Sequence, residues 1–227
     1  MRPVPVQQKY VVRRVWDAPT RLFHWAVVVL VGASWLTQHE GWMDQHVLCG
    51  YAMFTLLLFR LIWGIVGSDT ARFGLFLSNP VAACRHLARL HRREPDTAIG
   101  HNAAGGWMVL AMLGLLGVQV GTGLCANDEV SVEGPLAHVV GSRNSDWLSH
   151  VHAVNFRLIE AAIALHLLAI LAYRVLRGHR LVLPMVTGNK RLPDTLPAPR
   201  MASPAKAFAA LCAAAGLVAF VVLWFGG

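Results

Sequence analysis

Residues 150–166 read HVHAVNFRLIEAAIALH, a largely apolar stretch that contains three histidines. An α-helix turns about 100° and rises about 1.5 Å per residue. His152 and His166 are fourteen residues apart, so they share one face of a helix at a separation of about 21 Å, whereas His150 falls on another side. The stretch therefore predicts a long helix that carries two imidazoles on one face at two depths.

The rest of the chain has the composition of a membrane protein. Of its 227 residues, 56% are hydrophobic and only 14% are charged, and the mean hydropathy is +0.49. Five apolar runs are long enough, or nearly so, to cross about 30 Å of hydrocarbon as helices. These runs are residues 22–37, 46–66, 103–125, 151–176 and 207–225. We predict an all-α fold, an integral membrane bundle of four helices with a fifth, C-terminal transmembrane helix.

The net charge of +8 is distributed unevenly between the loops. Basic residues precede the first run and follow the second and the fourth: Arg13, Arg14, Arg21, Arg72, Arg85, Arg89, Arg92, Arg93, Arg174, Arg177, Arg180, Lys190 and Arg191. The alternate loops hold one basic residue, Arg143, and six acidic ones: Glu40, Asp44, Asp128, Glu129, Glu133 and Asp146. This bias predicts a cytoplasmic N-terminus and a C-terminus on the opposite side. The arginines lack the aromatic or glycine pattern of a nucleic-acid module, so we expect membrane lipid around the chain and no nucleic-acid partner.

Two other histidines match the depths of the first pair. His24 follows the cytoplasmic entry of the first run, level with His166, and His46 opens the second run from the outside, level with His152. Two imidazole pairs from different helices, one in each leaflet, are typical of bis-histidine iron in two stacked haems. A lone histidine in an apolar run is as often a hydrogen-bonded core residue, but four at matched depths favour ligation.

Imidazole also binds zinc, copper and non-haem iron, so the identity of the metal needs its own argument. The sequence has no H-E-x-x-H or C-x-x-C pattern, which zinc sites commonly use. Without a C-x-x-C-H motif, a haem would be held non-covalently. The cysteines are scattered singly: Cys49, Cys84, Cys125 and Cys212. A disulfide between Cys49 and Cys125 is geometrically possible, but two small buried residues are the favoured interpretation.

Four further features of the sequence bear on a haem site. The third run is rich in glycines that leave space for a flat macrocycle or for a closely packed neighbouring helix: Gly105, Gly106, Gly114, Gly117, Gly121 and Gly123. Arg60 lies fourteen residues after His46 at the cytoplasmic depth, where it can bind a haem propionate or snorkel to the interface. Arg157 and Glu160 have the spacing of an ion pair, with a proton or quinone role for Glu160 as the alternative. His101, His138 and His150 are candidate proton acceptors or ordinary interfacial residues.

Eight short segments, together with His152 and His166, connect this chain to a known group. The segments are VWDAPTRLFHW (15–25), HVLCG (46–50), RLIWGIVG (60–67), ARF (71–73), GHNAAG (100–105), TGL (122–124), GPLA (134–137) and PMVTG (184–188). In this ordered set the chain resembles the bacterial cytochrome b561 and nickel-iron hydrogenase b-type cytochrome family. The resemblance covers about residues 15–190 and leaves out the fifth helix.

The resemblance implies a four-helix membrane domain with two haem b groups, an inner haem on His24 and His166 and an outer haem on His46 and His152. We therefore expect a di-haem cytochrome b domain over residues 1–190, a linker over 191–204 and an additional transmembrane helix over 205–227.

It also implies electron transport in the respiratory chain of a bacterial inner membrane, between quinone or quinol and a partner redox protein such as a c-type cytochrome or a dehydrogenase subunit. Two alternatives stay open at the level of the sequence. One is a haem-containing membrane anchor subunit of a hydrogenase or another dehydrogenase, and the other is a haem-free transporter or metal channel. Whether the chain is itself a quinone-linked oxidoreductase is also open.

Overall fold

The computed structural model describes residues 9–92, 95–127 and 132–226. In chain order its elements are β1 (Tyr10–Arg14), α1 (Ala18–His39), α2 (Met43–Val66), α3 (Phe73–Phe76), α4 (Pro80–Ala88), α5 (Ala103–Gly123), α6 (Ala137–Val140), α7 (Ser142–Ala172), a π-helical turn (Tyr173–Arg177), α8 (Val182–Thr187), β2 (Asn189–Pro193) and α9 (Pro204–Phe225). Within the described residues, five helices are long and apolar enough to span a membrane. The prediction of an all-α integral membrane bundle is confirmed.

The five spanning helices are α1, α2, α5, α7 with its π-helical turn, and α9. Each coincides with one predicted apolar run, but α7 begins at Ser142, nine residues before the run at Val151. The first residues of α7 are polar, so hydropathy predicts where the helix enters the membrane and not where its first turn begins. α9 begins at Pro204 behind a Ser203 cap.

The helices pack around two apolar clusters. The first joins α2, α5 and α7 through Met53, Leu57, Leu116, Val120, Leu124 and Ile159. The second joins α9 to α2, where Ala210 and Ala214 contact Phe59 and Trp63. The fifth helix thus packs against α2 through small residues, which allow the two backbones to approach closely.

We call the end of the bundle that holds β1 and β2 the inner end, and the opposite end the outer end. α1, α5 and α9 begin at the inner end, while α2 and α7 begin at the outer end. Three of the charged residues used to predict topology, Arg93, Asp128 and Glu129, lie outside the described residues. The membrane sides of the two ends remain a prediction.

A two-stranded antiparallel sheet closes the inner end. β1 pairs with β2 so that Val12 lies opposite Arg191. Just beyond the sheet, the carbonyl oxygen of Gly188 accepts hydrogen bonds from the backbone nitrogens of Val15 and Trp16 at 2.8 and 3.1 Å. The segments 15–25 and 184–188, which carry the family resemblance, are therefore in direct contact.

The stretch predicted as a linker is fastened to the bundle at both ends. Its first three residues, 191–193, belong to β2. Near its other end, the Asp69 carboxylate accepts a hydrogen bond from the backbone nitrogen of Arg200 at 2.8 Å, and the Ser68 hydroxyl accepts one from Ala202 at 2.9 Å. The Arg200 hydrogen bond lowers the pKa of Asp69, so the carboxylate stays charged near neutral pH.

Asp17 fixes the start of α1 relative to the end of α2. One carboxylate oxygen accepts a hydrogen bond from the backbone nitrogen of Thr20 at 2.7 Å and caps the helix. The other accepts from the indole nitrogen of Trp63 at 3.1 Å. Asp17 and Trp63 are both buried, so each hydrogen bond satisfies a polar group that water does not reach.

We expect Asp17→Ala to destabilise the protein by about 2–4 kcal/mol, because the variant loses a helix cap and leaves the Trp63 indole N–H without its partner. Thermal unfolding in detergent, followed by circular dichroism, measures the effect as a lower midpoint. Asp44→Ala removes an exposed carboxylate at the start of α2 and serves as the control. Equal midpoints for the two variants would contradict the role given to Asp17.

Candidate functional site

The outer pair of predicted histidines is brought together between α2 and α7. The ring centroids of His46 and His152 are 6.3 Å apart, and the two ring planes are nearly perpendicular at 80°. A metal-bound imidazole nitrogen lies about 2.0 Å from the metal, and ring geometry places that nitrogen about 1.1 Å from the ring centroid. Two imidazoles on opposite sides of one metal ion therefore have centroids about 6 Å apart, which is close to the separation observed here.

Hydrogen bonds to backbone carbonyls select the tautomer of both rings. Nδ1 of His46 lies 2.9 Å from the carbonyl oxygen of Ser34, and Nδ1 of His152 lies 2.9 Å from that of Gln119. A carbonyl only accepts, so each Nδ1 carries the proton and donates it. The lone pair is thereby left on Nε2, the nitrogen that is then free to bind a metal.

The α5 residues around His152 hold its ring closely. A side chain at Gly123 would place its Cβ 2.9 Å from Cε1 of His152, so the imidazole occupies the space of the missing side chain. The amide nitrogen of Gln119 lies 3.0 Å from Nε2 of His152, and Asn155 donates to the Gln119 amide oxygen at 2.8 Å. A metal held by Nε2 of His152 would take the place of this Gln119 hydrogen bond.

The two rings border a cavity of 420 Å³ at the outer end of the bundle. Its walls come from α1, α2, α5 and α7, and they are mainly apolar, with Trp35, Tyr51 and Phe156 among the large side chains. A mainly apolar cavity with two convergent nitrogen donors matches a macrocycle held by axial ligands.

A family model described as prokaryotic cytochrome b561 matches residues 15–188, which is more than half of the chain. The chain belongs to the prokaryotic cytochrome b561 family. A search of curated proteins and a search of solved structures each found no match. Membership makes the protein a b-type membrane cytochrome that takes part in electron transfer.

The predicted inner pair of this cytochrome b561 family member comes from α1, which holds His24, and α7, which holds His166. His24 and His166 lie within range of electrostatic interaction with each other. Nδ1 of His24 is buried and has no hydrogen-bond partner in the described part of the chain. A buried polar nitrogen without a partner is costly, and a bound group that supplies an interaction would relieve that cost.

Arg60 is buried inside the bundle, which argues against the snorkelling alternative. Only 2% of the residue is exposed, and its guanidinium carbon lies 4.6 Å from the centroid of the Phe73 ring. Nη1 of Arg60 has no hydrogen-bond partner among the described residues. A buried guanidinium with a free donor fits the carboxylate of a haem propionate, which supplies both a counter-charge and an acceptor.

His101, for which the sequence left open a proton acceptor or an ordinary interfacial residue, lies in an aromatic pocket at the inner end. Its ring packs between Trp16 and Phe76, with centroid distances of 4.7 and 4.5 Å. Burial lowers the pKa of His101 to about 3, assisted by the charge of Arg60. The ring is therefore neutral at physiological pH and a poor base. Its proximity to Arg60 depends on the fold and has no signal in the spacing along the chain.

The remaining predicted residues fall into clear classes. Arg157 and Glu160 form the predicted ion pair at 2.9 Å. Cys49 and Cys125 are free thiols without a disulfide between them, and burial raises the pKa of the Cys125 thiol, which keeps it protonated. In the part of the chain that the structure describes, no group of three or more His, Cys, Asp or Glu residues forms a metal site.

The sequence left two roles open for the glycines of α5, space for a macrocycle and close helix packing. Gly123 gives space to His152, and Gly106 gives space to Phe76. Gly114, Gly117 and Gly121 have no atom within 4 Å of the place where a Cβ would stand. Gly105 lies beside the Asn102 side chain. Of the six glycines, one therefore borders the outer site, two lie against side chains at the inner end, and three face open space.

Proposed function

We propose that this protein is a di-haem electron carrier of the bacterial inner membrane that passes electrons between quinol and a partner redox protein. The observation that carries the proposal is the outer histidine pair. His46 and His152 stand 6.3 Å apart beside an apolar cavity, and each has its Nδ1 committed to a backbone carbonyl. Two imidazoles that donate through Nδ1 and keep Nε2 for a metal suit an iron that takes two nitrogen ligands.

In this proposal His46 and His152 hold the outer haem, and His24 and His166 hold the inner haem. The second assignment is supported by the position of His24 within electrostatic range of His166. Arg60 binds an inner-haem propionate, for which its buried, unpartnered Nη1 is suited. The fourteen residues between His152 and His166 separate the two levels by about 21 Å along α7.

A haem with two axial histidines supplies one-electron transfer and has no open position for bond chemistry. The protein's own residues set the conditions for this transfer. The carbonyls of Ser34 and Gln119 orient the outer rings and raise their basicity as ligands, which stabilises the oxidised iron and favours a lower reduction potential. Burial protects the charge of Arg60 from screening by solvent, so this cation favours the reduced state of a nearby centre and a higher potential at the inner level.

The same proposal assigns the inner end to the cytoplasm and the outer end to the periplasm. The basic residues at the inner end support this orientation, including Arg13, Arg14 and Arg21 in β1 and α1. Quinol then reaches the bundle from the bilayer, and the partner redox protein approaches one of the two ends.

The first test is the haem content of the purified protein. We expect two haem b per chain from the pyridine haemochrome assay and a reduced-minus-oxidised spectrum with the bands of low-spin b-type haem. In liposomes, a reduced short-chain quinol should reduce both haems, while the oxidised quinone should not. One haem per chain would contradict the second site, and absence of haem would favour the transporter or channel.

A second experiment distinguishes an independent electron carrier from a membrane anchor subunit of a dehydrogenase. If tagged protein purified from its native membrane reduces fully with quinol in the absence of any other subunit, it works as a carrier. If quinol reduction requires a dehydrogenase that co-purifies with it in fixed ratio, the chain is the anchor of that enzyme.

A further inference from the structure

An ion pair faces outward from the apolar part of α7. The side chains of Arg157 and Glu160 are 77% and 41% exposed, and they contact each other at 2.9 Å. Arg157 is five residues beyond His152, or about 7.5 Å deeper in the span. Charged side chains at such depths almost always face other protein or a water-filled cavity, because exposure to hydrocarbon is costly. This surface of α7 therefore calls for a cover.

The ion pair is part of a regular row of outward-facing residues, which we call the α7 seam. Its members follow at alternating intervals of four and three residues and are all exposed or half-exposed: Ala153, Arg157, Glu160, Ala164, Leu167 and Leu171. A mean spacing of about 3.5 residues is typical of the row that one helix presents to a second, nearly parallel helix. The alanines on either side of the ion pair allow two backbones to approach closely.

The α7 seam also borders the outer cavity. Ala153 and Arg157 line that cavity together with Trp35 of α1. The seam residues remain exposed or half-exposed, so no helix of the described chain covers the seam. A helix placed on it would complete the lipid-facing wall of the cavity between His46 and His152. The outer cavity would therefore be more enclosed if a second chain packed on the α7 seam.

We propose that the α7 seam binds the α7 seam of a second copy, forming a homodimer about a twofold axis along the membrane normal. The seam carries one charge of each sign, so it is complementary to itself. In a parallel pair, Arg157 of each copy is within reach of Glu160 of the partner subunit, and four charges alternate in sign across the interface. This inference goes beyond electron transfer and does not depend on the number of haems.

Charge inversion in two differently tagged copies tests the proposal. Arg157→Glu alone presents four acidic groups at the interface, and Glu160→Arg alone presents four basic groups. We expect the wild-type protein to be a dimer of the 24.8 kDa chain by native mass spectrometry from nanodiscs, and each single variant to dimerise at least about tenfold more weakly. Co-expression of the two variants should restore a dimer that contains one copy of each, which an ion pair confined to one chain does not predict.

Arg143→Glu makes the same change of charge at the exposed start of α7 and should leave the dimer intact. A second measurement is independent of charge. In a background with the native cysteines replaced by serine, Ala164→Cys should form a disulfide-linked dimer in the membrane. Ala162→Cys makes the same replacement two residues earlier, about 160° around the helix, and should not cross-link.

Three results would each overturn the proposal: a monomeric wild type, mixed charge variants that fail to pair, or no cross-link at Ala164. A monomer would leave the ion pair facing lipid or a bound small molecule. Because none of these measurements counts haem, their failure would not bear on the proposed electron carrier.

Discussion

His152→Ala is expected to lower the haem content from two per chain to one, with the outer haem lost. His152 is the α7 ligand in the proposed outer pair. Without it, His46 would be the single protein ligand left to hold the outer haem. Removal of a single axial ligand also opens a void beside Gly123 and Gln119. The pyridine haemochrome assay gives the haem count, and a redox titration should show one of two potentials missing.

Two neighbouring variants make this result specific. His150→Ala removes an exposed histidine two residues earlier and should retain both haems. His166→Ala should also give one haem per chain, but with the other potential missing, because it belongs to the inner pair. Two haems in His152→Ala, or the same missing potential in the His152 and His166 variants, would contradict the pairing.

Gly123→Val is expected to produce a loss of the outer haem similar to that of His152→Ala. Even a Cβ at this position would stand 2.9 Å from Cε1 and 3.2 Å from Nδ1 of His152, and the branched side chain of valine extends farther toward the ring. The imidazole must then leave the place where Gln119 and Thr122 hold it. Haem content and the difference spectrum measure the loss.

The matched control is Gly121→Val on the same helix. No atom lies within 4 Å of the Cβ position of Gly121, so valine should be accommodated on the surface without change in haem content. Both substitutions add the same side chain to α5, so any general effect on helix propensity cancels between them. Equal haem contents in the two variants would argue that His152 does not depend on the space at Gly123.

The spanning helices were predictable because each is encoded by a continuous apolar run, and hydrocarbon leaves few alternatives to a helix. The depths of the histidines followed from the same helices. The helical start of α7 at Ser142 and the strands β1 and β2 were missed. A five-residue strand such as β1 acquires its hydrogen bonds from a partner about 180 residues away, and no local pattern in the sequence records that pairing.

Within the candidate site, the sequence predicted the candidate histidines and arginine. It did not predict the backbone and side-chain groups that orient them. The approach of His46 to His152 agrees with the predicted pairing, whereas the ligation itself and the inner pair remain predictions. The carbonyls of Ser34 and Gln119 that orient the rings are backbone atoms, so residue identity gives no hint of them. Arg60 was selected by its depth, but its burial against Phe73 depends on how α3 folds back onto α2.

The pairing of β1 with β2 has a consequence for biosynthesis. Residue 14 leaves the ribosome about 175 residues before residue 189, and translation proceeds at about 5–20 residues per second. The N-terminal segment therefore waits on the order of ten seconds or more, while four helices enter the membrane, before its partner strand exists. The inner end consequently cannot close until α1, α2, α5 and α7 have all been made, and α9, which follows β2 in the chain, joins the bundle after that.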